Sequence, residues 1–108
     1  MFSAKAYPEF FPEGDRLRVG IRGEIDHHSA APLREEIDFE MEKYRPRVLA
    51  LDMAEVSFMD SSGLGLVLGR VSRGEELGCR VEILHADERI QRILKMAGAA
   101  HIRNIKIL

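Results

Sequence analysis

The sequence is short of most of what special compartments and chemistries demand. Of 108 residues one is cysteine, so Cys79 has no mate, no disulfide framework exists, and a reducing compartment is the expected setting. No run approaches the roughly 20 apolar residues that cross a bilayer, and the first residues lack the charged-then-apolar order of a signal peptide. No membrane partner is expected, and the cytoplasm is the expected location. Positive charge is not in excess either. Sixteen Lys and Arg stand against 18 Asp and Glu, a formal net charge of −2, and no basic stripe offers the footprint that nucleic acid requires. With 45% hydrophobic residues and no linker, repeat or low-complexity stretch, the chain suits one two-layer domain over residues 1–108 and is too short for two.

Motifs of catalysis and cofactor binding are missing as well. Gly63, Gly65 and Gly69 imitate a dinucleotide fingerprint, but the third glycine of that motif would fall on Leu68. A nucleophile elbow around Ser61 fails because the residue two before it is Met59. His27 and His28 are adjacent and point apart in regular structure, while His85 and His101 stand far away without ligand spacing around them. No cofactor, no metal and no enzymatic activity are expected. Each helical glycine costs about 1 kcal/mol relative to alanine, so the three glycines instead suggest close backbone packing or a contact face kept free of side chains.

What the chain does have is alternating pattern. Phe2 to Phe11 contains Pro8 and reads as an edge strand. The turn Pro12-Glu13-Gly14-Asp15 then leads into Arg16 to Ile25, where Leu17, Val19 and Ile21 alternate with arginines. Leu33, Ile37, Met41 and Tyr44 recur at helical spacing, with acids on the other faces and an Arg34 to Asp38 pair within reach. That helix stops near Pro46. Val48 to Met53 is a nearly continuous apolar run, expected to be a central strand covered on both faces. A helix from about Ser62 to Leu77 ends at Gly78, Cys79 to Leu84 is a strand, and Asp87 caps a third helix with Ile90, Ile93, Leu94 and Ala97 that Gly98 closes. Ile102 to Leu108 reads as a last strand. Alternating strands and helices imply parallel pairing, so the fold class is α/β with a mixed β-sheet of four to five strands packed against three helices.

In such a sheet the loops leaving the carboxyl ends of parallel strands share one edge, where open α/β folds place their working residues. Two loops stand out there. One is Glu24-Ile25-Asp26-His27-His28-Ser29-Ala30, and the other runs from Ser57 through Met59, Asp60, Ser61, Ser62, Gly63 and Leu64 to Gly65. The second puts two hydroxyls and an acid at a helix start, which presents unpaired N–H groups and partial positive charge. Asp60 or Ser61 can serve there simply as a helix cap, and Asp26 can cap the first helix.

Together these two stretches, Gly23-Glu24-Ile25-Asp26-His27-His28-Ser29-Ala30 and Phe58-Met59-Asp60-Ser61-Ser62-Gly63-Leu64-Gly65 followed by Leu68-Gly69-Arg70, closely resemble the anti-sigma factor antagonists of the STAS domain family, especially the sporulation type. The resemblance spans roughly Arg16 to Ile107 and implies the STAS fold, with the C-terminal helix usual in the family missing. It implies Ser61 as the acceptor of a phosphate, with Asp26 and Asp60 beside it and His27, His28, Ser29, Met59, Ser62, Gly63, Leu64 and Gly65 forming the surroundings and the partner surface. The implied partners are an anti-sigma factor that is also a serine kinase, bound only by the unphosphorylated form, and a phosphatase that restores that form. On this reading the protein is a substrate and a ligand rather than a catalyst. A STAS scaffold whose serine is not used, working inside a larger signalling assembly, is the competing expectation. A nucleotide-binding protein of flavodoxin-like architecture is a second, and it lacks a phosphate cradle.

Overall fold

The computed structural model describes residues 5–108. Strands β1 (Ala6–Glu13) and β2 (Arg16–Ile25) form a hairpin; then come helix α1 (His27–Tyr44), strand β3 (Val48–Met59), helix α2 (Ser61–Leu77), strand β4 (Arg80–Leu84), helix α3 (Glu88–Met96), a 3-10 turn (Ala99–His101) and strand β5 (Ile105–Ile107). The five strands lie in the order β1-β2-β3-β4-β5, antiparallel only between β1 and β2. This is the mixed sheet with three helices that the sequence predicts. Of the expected edge strand, residues 2–4 lie outside the described residues. The strand itself runs on through Pro12 to Glu13, where a two-residue turn with Gly14 at φ +69° reverses the chain. Pro8 and Pro12 are four apart and so fall on one side of the ladder, the side of β1 that has no neighbour and needs no N–H.

Each crossover steps one strand further in the same direction. Right-handed connections therefore put all three helices on one face. Leu17, Val19 and Ile21 of β2, Leu49, Leu51 and Met53 of β3, and Val81 and Ile83 of β4 meet Leu33, Ile37 and Met41 of α1, Leu66, Val67 and Val71 of α2, and Ile90 and Leu94 of α3 in one core. The apolar run of β3 is covered on both faces, as expected, but helices cover only one of them. Its second face carries Val48 and Ala50, and these are shut off from water by side chains of the neighbouring strands. Arg16 of β2 reaches across β3 to Glu82 of β4 at 2.6 Å, Arg18 meets Asp52 at 3.6 Å and stacks on the Phe11 ring, and Arg22 meets Glu55 at 3.3 Å. The long alkyl stems of arginine make such a layer water-excluding as well as charged.

Strand β3 is six residues longer than its apolar run. Two register shifts against β2, between Gly20 and Arg22 and between Gly23 and Glu24, each insert one extra residue into β3. Bulges break the period of two, which is why Ala54 to Phe58 does not look like a strand in the sequence. The last strand is shorter than expected because residues 102–104 turn after the 3-10 segment, with Asn104 at φ +76°. The expected Arg34 to Asp38 pair is replaced by an ion pair between helices: Asp38 Oδ1 lies 2.9 Å from Nε of Arg70, which is buried between α1 and α2.

Candidate functional site

Parallel pairing carries β2 and β3 to the same edge, where Ile25 and Met59 end in register. The next residue of each chain segment is an aspartate. The Asp26 carboxylate accepts the N–H groups of His28 (2.9 Å) and Ser29 (3.0 Å), and the Asp60 carboxylate accepts that of Ser62 (2.8 Å). Asp87 repeats the arrangement one strand further on, accepting from Ile90 at 2.9 Å. Three helix starts therefore open onto one edge, each with an aspartate filling donors that have no intrahelical partner. The two stretches read as loops are in fact single capping residues between a strand and a helix. The Asp60 N–H donates to the Ile25 carbonyl at 3.2 Å and ties the first two caps together.

The capping role open to Asp60 or Ser61 falls to Asp60, and Ser61 is the first residue of α2 and exposed. Ser62 is half-buried beside it. His27 and His28 open α1, both exposed, with their rings edge to face at 5.7 Å. A shallow groove of about 330 Å³ runs between the two helix starts, lined by His27, Ala31, Arg34, Ser62 and Gly65. The other predicted residues shape this surface from beneath. Ser29 is buried; its hydroxyl donates to the Glu24 carbonyl at 2.8 Å and accepts the Asp26 N–H at 2.9 Å, closing a capping box. Met59 is only 6% exposed, and its side chain fills the space that a Cβ on Gly63 would need. Leu64 packs against the core, whereas Gly65 and Gly69 have open space where a Cβ would stand. Of the two reasons the sequence offers for its glycines, close packing applies to Gly63 and a bare face to Gly65 and Gly69.

Lys5 has no signal in the sequence, since it lies 21 residues before the side chain it meets. Its Nζ donates to Asp26 Oδ2 at 3.0 Å. That bond, followed by the backbone bonds from Ser29 and His28, holds the Asp26 carboxyl far below the usual carboxylate range, and the same bond pushes the Lys5 ammonium up. A carboxyl depressed by folding contributes stability that is complete above its unfolded pKa of about 4 and lost as pH falls below it. Lys5→Met is therefore expected to be less stable than the wild type at pH 7, with the two curves converging as pH falls from 4 towards 2. Urea denaturation at pH 7, 4 and 2.5 reads this directly, and a difference that persists unchanged at pH 2.5 would refute the pairing.

Residues 11–107 match the family model described as the STAS domain. The chain is 32% identical over 89 residues to the anti-sigma F factor antagonist of Paenibacillus polymyxa, covering 82% of this chain and 76% of that protein. It is 33% identical over 89 residues to the anti-sigma-B factor antagonist of Bacillus subtilis, covering 82% and 80%. Among solved structures, the anti-sigma factor antagonist SpoIIAA in its unphosphorylated form superposes with a TM-score of 0.78 at 24% identity, over 94% of this chain and 87% of that one. Its phosphorylated form, from Bacillus, superposes with 0.72 at the same identity, over 94% and 90%. The chain belongs to the STAS domain family, with anti-sigma factor antagonists among its relatives.

Proposed function

We propose that this chain is a cytoplasmic anti-sigma factor antagonist whose binding is switched off by phosphorylation of Ser61. In its unphosphorylated form it occupies an anti-sigma factor that is also a serine kinase, which frees the sigma factor. A phosphatase returns the phosphorylated form to use. The observation that carries this reading is the exposure of Ser61 at the first position of α2, directly after the Asp60 cap. The names of the relatives supply the partner class.

The chain supplies a hydroxyl and a docking surface, and the partner supplies the chemistry. In the transfer, the Ser61 oxygen bonds to the γ-phosphorus of ATP as the bond to ADP breaks, and the hydroxyl proton passes to a base of the kinase. The product carries about −1.5 to −2 charge. Ser62 N–H is already taken by the Asp60 carboxylate and Gly63 N–H by the Asp60 carbonyl, so the helix start has few donors left to draw the phosphate inward. The charge stays on the surface beside Asp60, where it repels a partner that fitted the neutral hydroxyl. No rearrangement of the sheet is required.

Candidate anti-sigma kinases with ATP are expected to label Ser61, as read by mass spectrometry. Ser61→Ala is expected to take no label yet bind with wild-type affinity, and Ser61→Asp to bind at least about tenfold more weakly, a difference of about 1.4 kcal/mol. Label on another residue, or equal binding by Ser61→Asp, would overturn the reading. Backbone chemical shifts of the two forms should differ around the starts of α1 and α2 and agree through β4 and β5.

A further inference from the structure

The edge that carries Ser61 continues into a second surface. Phe58 and Met59 at the end of β3 and Ile90 and Ile93 of α3 line a groove of about 250 Å³, with Arg89, Arg92 and one acid, Asp87, on its rim. Phe58 is 44% exposed and Met96, one turn beyond Arg92, is 81% exposed. Arg89, Arg92 and Met96 recur at intervals of three and four and so lie along one stripe of α3, with Lys95 beside it. The charges of this stripe differ from those of several arginines of the sheet and of the helix interface. Arg16, Arg18 and Arg22 on the open sheet face and Arg70 and Arg73 between α1 and α2 all face carboxylates. Arg89 meets Asp87 at 4.0 Å and donates from Nη2 to the Ser57 carbonyl at 3.4 Å, and Arg92 and Lys95 meet no carboxylate among the described residues. A chain of net charge −2 thus holds a local cationic strip around an apolar slot.

We propose that this groove receives an acidic segment of the same protein partner, with one apolar side chain seated between Phe58 and Ile93 and carboxylates meeting Arg89 and Arg92. Two arguments select that occupant. Exposed guanidinium groups are strong, planar binders of carboxylate, and the slot between them is apolar, so an amphipathic acidic peptide satisfies both at once. Continuity selects the partner: Met59 lines the groove and also packs under Gly63 in the first turn of α2, so a protein seated over Ser61 reaches Arg89 without leaving the surface. The inference rests on the anti-sigma factor antagonist reading and adds a division of labour to it. Contacts around Ser61 respond to the phosphate, while those in the groove hold the partner in either state and set the residual affinity of the phosphorylated form.

The test is titration calorimetry of the anti-sigma kinase against the wild type, Arg89→Glu/Arg92→Glu, Phe58→Ala and Ser61→Asp, at 50 and 300 mM salt. The double reversal is expected to weaken binding at least tenfold at 50 mM salt and to flatten the salt dependence, and Phe58→Ala to weaken it several-fold, with thermal midpoints near that of the wild type. In the Ser61→Asp background the reversal is expected to remove the binding that remains. Binding within twofold of the wild type for both groove variants overturns the inference while Ser61 labelling and the Ser61→Asp effect stand. Failure of the wild type to bind any such kinase removes both readings. Vesicles containing phosphatidylglycerol make up the other arm, and arginine-dependent binding to them with unchanged kinase affinity assigns the strip to a lipid surface and also overturns it.

Discussion

Gly74→Ala is expected to destabilise the protein by about 3 kcal/mol, although it adds one methyl group. A Cβ at this position in the last turn of α2 would stand 2.5 Å from the Cys79 carbonyl oxygen and 3.5 Å from Asn104 Nδ2. Neither neighbour can yield cheaply. The Cys79 carbonyl accepts Asn104 Nδ2 at 2.8 Å, the Cys79 N–H donates to the Gly74 carbonyl at 2.7 Å, and the Asn104 carbonyl accepts Val81 N–H at 3.0 Å. This small network fastens the end of α2 to both β4 and the entry to β5, so the added atom must move backbone in three elements. For a domain of this size the thermal midpoint should fall by about 15 °C. Gly65→Ala and Gly69→Ala in the same helix are the contrast. A Cβ there meets nothing within 4 Å, and each change is expected to stabilise by about 0.5–1 kcal/mol through helix propensity. Urea denaturation of the three variants checks the pattern, and a cost below about 1 kcal/mol at Gly74 would show that the helix does not approach Cys79 so closely.

Asp38→Ala is expected to cost about 3 kcal/mol, whereas Arg70→Met is expected to cost less than about 1 kcal/mol or to stabilise. The asymmetry follows from burial. Arg70 is 5% exposed, while the Asp38 side chain keeps about a third of its surface in water. Burial lowers the Arg70 pKa and Asp38 works against that shift, with Arg34 and Arg73 adding like charge. The N–H at Nε does not point along the 2.9 Å line to Asp38 Oδ1, and Nη1 is buried without a partner. Removing the carboxylate leaves a guanidinium with neither water nor counter-charge. Removing the guanidinium leaves a carboxylate that water can reach. The double variant Asp38→Ala/Arg70→Met should recover most of the loss, and a thermodynamic cycle built from these three proteins reads the coupling. Equal losses from the two single variants would contradict the geometry.

Much of this was legible in the chain because the signals are local. The alternation of Leu17, Val19 and Ile21, the spacing of Leu33, Ile37 and Met41, and Gly78 at φ +71° each report a nearby backbone state. The row of caps is half legible: Asp87 is recognisable as a cap outright, whereas Asp60 and Ser61 offer the same chemistry one residue apart and only the strand end at Met59 decides between them. What stayed hidden depends on residues distant in sequence. The bulges of β3 are set by pairing with β2, Asp38 is drawn away from Arg34 by a guanidinium 32 positions after it, and Lys5 meets Asp26 only because the hairpin closes. His85 has no ligand spacing around it in the sequence, yet its Nδ1 lies 3.0 Å from Asp52 because β3 and β4 pair Asp52 with Leu84, the residue before His85.

A sheet whose strand order follows chain order has a kinetic corollary. Every strand after the first needs only its immediate predecessor and at most one intervening helix, so each new unit closes a short loop at small entropic cost. A nascent polypeptide can add these layers as they emerge from the ribosome, with no strand waiting unpaired for a partner still to be synthesised. The three residues of β5 come last, and they dock against a sheet that is by then already built.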